Sequence, residues 1–124
     1  MRPYLALALL LLCACAPKVE PAEIQLLGLD CTQPFEAQAA RLVAQPGLQA
    51  APKDYAEPYH YYSSEDGRTS YLITLKGAPG HPAIMMQKAG GGTVITTGCP
   101  YGDPKGYQQL LAYLESLKVW TRKK

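Results

Sequence analysis

The stretch YHYYSSEDGRTSYLITLK, residues 59–76, decides the fold class. Two runs rich in tyrosine, threonine and isoleucine flank Glu65-Asp66-Gly67, and an Asp-Gly pair between β-formers marks a hairpin. In the second arm Tyr71, Ile73 and Leu75 fall on one side of the strand, with Leu72 and Thr74 on the other. Downstream, Gly-Ala-Pro-Gly-His-Pro at 77–82 breaks the chain. Residues 83–88 and 93–97 then form a second pair of strands around Gly90-Gly91-Gly92. A glycine triplet cradles a phosphate only when a helix N-terminus follows it and aims N–H groups at the anion. Here Val94-Ile95-Thr96-Thr97 follows, which is strand, so the triplet reads as a hairpin turn.

Helical periodicity brackets these hairpins. Thr32 is a candidate N-cap and Pro34 lies in the first turn, where its missing N–H costs nothing. Phe35, Ala39, Leu42 and Val43 then recur at helical spacing until Pro46-Gly47, predicting a helix over 34–45. Asp103 and Pro104 open a second helix with an apolar stripe of Tyr107, Leu110, Leu111, Leu114 and Leu117. Residues 24–29 are a weak candidate for a leading strand, and 46–58, with Pro46, Pro52 and Pro58, reads as an extended loop. The expected fold is a small single α+β domain. Its two hairpins form a four-stranded antiparallel sheet, with the N-terminal and C-terminal helices packed on one face. On that arrangement the other face is left to tyrosine, serine and threonine.

The N-terminus has a different character. Met1 and Arg2 precede an apolar run at 5–12, far shorter than the ~20 residues that span a bilayer as a helix. A positive start, a short apolar run and small residues after it describe a secretory signal peptide. The run ends in Leu12-Cys13-Ala14-Cys15, which resembles the lipobox of bacterial lipoproteins. The resemblance covers residues 1–15. It implies a thioether-linked diacylglycerol (palmitate-type chains) on Cys15 and cleavage after Ala14, and so a partner in the lipid bilayer. It divides the chain into a signal peptide at 1–14, a lipidated tether at 15–23 and the domain at 24–124. With Ala16 rather than Asp after the cysteine, it implies the periplasmic side of the outer membrane in a Gram-negative host. Buried acyl chains contribute about 0.8 kcal/mol per methylene, so two or more make a permanent anchor. The competing reading of the same residues is an ordinary secretory leader with two incidental cysteines.

Export decides how the remaining cysteines are read. Cys31 and Cys99 form an even pair in an oxidising compartment, which predicts a disulfide. Closing so long a loop stabilises the fold by roughly 4 kcal/mol in the chain-entropy model. No helix N-terminus or fixed base stands beside Cys99 to activate it as a free thiol.

A length of 124 residues allows one domain, and a net charge of +2 offers no general electrostatic case for nucleic acid. Candidate chemistry is sparse. His60 and His81 are the only histidines, and no acidic residues join them at metal-ligand spacing. Met85 and Met86 are adjacent on a strand and point to opposite faces, so they do not chelate together; core for one and surface for the other is expected. Glu65 and Asp66 lie in a turn, and Ser63, Ser64 and Ser70 lack a nucleophile elbow. The sequence therefore points to no metal, no cofactor and no enzyme. Its surplus is tyrosine, a side chain that offers large contact area at low entropic cost. Tyr59, Tyr61, Tyr62 and the turn residue His81 are the candidate binding surface, although tyrosine is also an ordinary strand former. The expected role is a noncatalytic binding or assembly module for another envelope protein or the cell wall. The alternatives are a small inhibitor or exclusion-type lipoprotein using 77–82 as a protruding plug, and an envelope hydrolase.

Overall fold

Two tight turns set the register of the two hairpins. In the first, the Asp66 carboxylate accepts hydrogen bonds from the Ser64 hydroxyl (2.6 Å) and the Arg68 amide (3.0 Å). Those bonds hold its pKa below the usual aspartate value. In the second, Gly91 (φ 58°) and Gly92 (φ 79°) both occupy the left-handed region, as a two-residue hairpin loop matched to strand twist requires.

The structure is a computed structural model and describes residues 26–122, with side chains through Lys118. The expected signal peptide, Cys15 and the tether at 15–23 lie outside the described residues. The strands are β1 (Leu48–Ala50), β2 (Tyr59–Ser64), β3 (Thr69–Thr74), β4 (Ala83–Gly90) and β5 (Thr93–Pro100). They form one antiparallel sheet in the order β1-β2-β3-β4-β5, a plain meander. Helix α1 (Phe35–Val43) precedes it and helix α2 (Pro104–Arg122) follows it.

The α+β class is as expected, but the sheet has five strands rather than four. The extra strand lies inside 46–58, expected as loop. Leu48 and Ala50 pair with Ser64 and Tyr62, giving the outer edge of β2 backbone partners. Residues 26–29 form no strand. They run along α1 instead, where the Leu27 amide donates to Gln45 Oε1 (2.6 Å) and the Leu27 carbonyl accepts from the Tyr71 hydroxyl (2.7 Å).

The helices lie on opposite faces of the sheet, not on one. Tyr71, Ile73, Ile84 and Met86 pack with Leu42 of α1. Leu72, Ala83 and Met85 pack with Leu110 and Leu114 of α2. The cause is visible in the central strands. Tyr71-Leu72-Ile73 and Ile84-Met85-Met86 are apolar at consecutive positions, so each strand presents apolar groups to both sides and each side needs cover. Both methionines are consequently buried, where one was expected at the surface.

Both helix starts use local chemistry. Asp103 Oδ2 accepts the Gly106 amide at 2.9 Å, capping α2 as its sequence predicts. At α1 the N-cap is Pro34, which makes no side-chain cap, while Thr32 closes a turn on the Asp30 carboxylate with its amide at 3.1 Å. The segment at 77–82 is clasped rather than protruding. A Cβ built on Gly80 (φ 71°) would sit 2.5 Å from the Tyr107 nitrogen. One on Gly106 would sit 2.1 Å from the Gly80 nitrogen. Backbone meets backbone there with no space for a side chain, which removes the idea of a free plug.

Candidate functional site

Strand alternation splits the tyrosine run. Tyr59 and Tyr61 pack on the α2 side, and Tyr62 packs on the α1 side with the His60 ring 6.2 Å away. On the α2 side the Tyr59 ring stacks on Tyr113 at 5.8 Å and 19°. The Tyr61 hydroxyl donates to the Tyr113 hydroxyl (3.4 Å), which donates to Glu57 Oε2 (3.1 Å). Burial pushes the Tyr61 pKa well above the usual tyrosine value, and the Tyr113 hydroxyl adds to it. Burial raises Tyr59 too, with Tyr113 and Glu57 contributing. The Tyr59 and Tyr61 rings pack against α2, and the Tyr61 and Tyr113 hydroxyls add the hydrogen bonds that help seat it.

His81 lies elsewhere. Its ring meets Phe35 edge-on at 5.6 Å, and its Nδ1 is 2.7 Å from Thr74 Oγ1. That hydroxyl is also bonded to the Ala83 amide (2.8 Å) and carbonyl (3.1 Å). The His81 contact thus belongs to the closure of the β3–β4 connection. Tyr59, Tyr61, Tyr62 and His81 therefore do not share one face.

The predicted disulfide joins Cys31 to Cys99, with Cα atoms 5.2 Å apart across 68 positions of sequence. It pins the approach to α1 onto the end of β5. Beside it is a polar lock that sequence reasoning missed. Gln38 is 0% exposed; its Oε1 accepts the Asp30 amide and its Nε2 donates to the Tyr101 hydroxyl (2.6 Å). Tyr101 passes the chain on to the Gln33 carbonyl (2.7 Å). Two turns further on and just past the end of α1, the Gln45 side-chain Nε2 donates to the Leu42 carbonyl (2.8 Å) and the Tyr71 hydroxyl (3.2 Å). The available signal was spacing: Gln38, Leu42 and Gln45 fall at i, i+4 and i+7, the positions that face a core.

With both faces covered, the backbone with open hydrogen-bonding capacity lies at the sheet edges. β1 is three residues long, whereas β5 is eight and carries no charged side chain. The Tyr101 amide donates to the Pro82 carbonyl (3.1 Å), which fixes the alternation along β4–β5. Residues 93, 95, 97 and 99 bond to β4, so the N–H and C=O groups of Val94, Thr96 and Gly98 point away from the sheet. Consistent with this, the Lys118 ammonium reaches the Val94 carbonyl at 3.0 Å while it pairs with Glu115 at 2.7 Å. Ile95, on the α1 side, is 64% exposed.

Among the described residues no three His, Cys, Asp or Glu side chains group to hold a metal ion, and no helix is long and apolar enough to cross a membrane. Set against known proteins, the chain finds no counterpart: no family model matches it, and no curated protein or solved structure is significantly similar to it.

Proposed function

We propose that this protein is a lipid-anchored, noncatalytic binding and assembly module of a bacterial cell envelope. The observation that carries the reading is the end of the leader, Leu12-Cys13-Ala14-Cys15, with Cys15 as the acylated residue. The Cys31–Cys99 bridge supports it, because structural disulfides belong to exported compartments. The roles of the polar side chains support the noncatalytic part. Asp30, Asp66 and Asp103 serve turns and a helix cap, Glu57 takes a tyrosine proton donor, and His81 packs on Phe35.

The reach of such an anchor follows from covalent geometry. The described fold begins at Leu26, eleven residues beyond Cys15. At roughly 3.3–3.6 Å per extended residue, that tether spans up to about 40 Å. The domain thus works close to the bilayer, facing the periplasm from the outer membrane in a Gram-negative host. Its recognition surface is a sheet edge rather than a sheet face.

Labelled palmitate incorporation tests the anchor. The wild-type chain incorporates label and sediments with membranes, while Cys15→Ser abolishes both and Cys13→Ser leaves both. An unacylated N-terminus on the wild-type protein, or retention in the cytosol, overturns the reading.

A further inference from the structure

We infer that the Cys31–Cys99 bridge is a thiol-exchange site as well as a staple. A thiolate from outside attacks the Cys31 sulfur, Cys99 leaves, and Cys31 carries the incoming thiol as a mixed disulfide while the fold stays assembled. The inference stands whether or not Cys15 carries lipid.

The two sulfurs of the bridge are not equivalent. Cys99 is 1% exposed, near the end of β5 and against the buried Gln38. Cys31 is an exposed residue in the turn before α1, with its sulfur 3.6 Å from the Gly98 carbonyl at the sheet edge. Exchange depends on which sulfur a thiolate can reach, and the attacking, attacked and leaving sulfurs lie close to one line. Attack on Cys31 comes from solvent and drives the electrons of the S–S bond inward onto Cys99. Attack on Cys99 would have to come through the core. Access therefore gives the bridge a direction.

The step balances without an oxidant or reductant. The incoming thiolate forms a new S–S bond to Cys31, the Cys31–Cys99 bond breaks, and the negative charge passes to Cys99. Gln38 Nε2, 3.5 Å from Cys99 Sγ, is the N–H donor that faces the departing thiolate.

Cys31 does not leave with the broken bond, because residues on both sides of it are tied independently. Before it, the Asp30 amide is bonded to Gln38 Oε1, and Leu27 is held by Gln45 and by the Tyr71 hydroxyl. After it, the Gln33 carbonyl accepts from the Tyr101 hydroxyl at 2.7 Å and the Gln33 amide donates to the Asp30 carbonyl at 3.1 Å. The mixed disulfide thus stays beside Cys99, which acts as the resolving thiol. Its thiolate attacks the Cys31 sulfur, expels the guest thiolate and restores the bridge. Held so close, Cys99 outcompetes free thiols, so the closed bridge dominates and the conjugate is transient. The chemistry recognised is a thiolate, carried by a small thiol or by an exposed cysteine of an oxidoreductase.

The test uses the full-length chain with Cys13→Ser and Cys15→Ser, which leaves Cys31 and Cys99 as the only cysteines, beside the wild-type chain in detergent. Folded protein is incubated with reduced glutathione in one arm and, in the other, with a thioredoxin-type protein whose second active-site cysteine is serine. Acid quenching, trapping of free thiols and peptide mapping then locate the conjugate. It is expected on Cys31 in preference to Cys99 by roughly ten-fold or more, and the faster arm identifies the source of the thiolate. Circular dichroism of the conjugate should match that of the untreated protein. In concentrated denaturant, where both sulfurs are open, the preference should fall to about one. Isolated glutathione conjugate, returned to neutral pH without free thiol, should release glutathione at a rate independent of protein concentration. Gln38→Ala should slow that release several-fold by freeing Asp30, and Tyr101→Phe, which frees Gln33, serves if Gln38→Ala does not fold. A folded bridge that reacts in neither arm overturns the inference. So does an equal split between the sulfurs, exchange no faster than global unfolding, or release unchanged by loss of the flanking ties.

Discussion

The two faces of the sheet are covered by different means. On one side α2 runs 19 residues and fixes itself with apolar side chains, Leu110 and Leu114 at its centre and tyrosines around them. On the other, α1 has nine residues, and Leu42 is its one fully buried apolar side chain among them. That face is completed by the segment at 26–30 and held by the Cys31–Cys99 bridge, the Gln38 lock and the Gln45 bonds to Leu42 and Tyr71. A short helix excludes too little apolar surface from water to hold its own position, since burial yields only about 25 cal/mol per Å². The lesson is that covalent and polar ties gather where the apolar contact is smallest.

Removing the tie from the weaker face should have the largest effect. Reduction, or Cys31→Ser with Cys99→Ala, is expected to cost about 4 kcal/mol by releasing the closed loop. Denaturant titration measures the cost, and amide exchange locates it. Residues 26–45 should exchange faster while 104–118 keep their protection. Equal loosening of both helices would break the contrast between the faces. The matching change on the strong face is Leu114→Ala. Its side chain is 2% exposed, and the cavity left behind should cost about 3 kcal/mol. There the order reverses, with α2 losing protection and the disulfide-bound segment retaining it.

This asymmetry was only partly legible in the sequence. The hairpins could be read because Asp66-Gly67 and Gly91-Gly92 punctuate alternating strands, and α2 because Asp103-Pro104 opens a long stripe. The cysteine pair was legible once the leader was set aside. β1 was not, because Leu48-Gln49-Ala50 is three residues with no alternation; it is strand because β2 needs an edge partner. The placement of the helices was misread although the cue was present. Consecutive apolar residues at 71–73 and 84–86 mark strands buried on both sides, which two helices on a single face cannot provide. The tyrosines misled for the same reason. A surplus of half-buried aromatics suggests a recognition face until a helix is found lying on it.

Gln38→Ala tests the polar part of the weaker face. It leaves the Asp30 amide and the Tyr101 hydroxyl without their buried partner, which is expected to cost about 2 kcal/mol. The bridge should remain formed, so the loss adds to the reduced protein only partly, because Gln38 Nε2 also lies 3.5 Å from Cys99 Sγ and the two ties share neighbours. A full sum of the two losses in the Gln38→Ala, disulfide-free chain would show that lock and bridge act independently.

The smallest effect is a pH dependence carried by the α2 face. Burial raises the pKa values of Tyr59, Tyr61 and Tyr107 above the ordinary value of 10.0. The α1 face holds one such phenol, Tyr71, whose rise from burial is opposed by the Gln45 hydrogen bond and the Arg41 charge. A phenol with a raised folded-state pKa contributes its full stability below the unfolded value, where both states are neutral. As pH climbs past 10.0 the unfolded chain ionises and the folded one does not, so stability falls until the folded value is reached. Denaturation midpoints taken from neutral pH to about pH 11 should therefore decline. Tyr61→Phe should flatten the decline while preserving the ring packing on α2, at the cost of the weak bond to Tyr113. Tyr71→Phe should flatten it less, because its burial is partly offset. If Tyr71→Phe removes the greater part instead, the alkaline sensitivity belongs to the tethered face, and the division between an apolar side and a tied side no longer describes how this sheet is held.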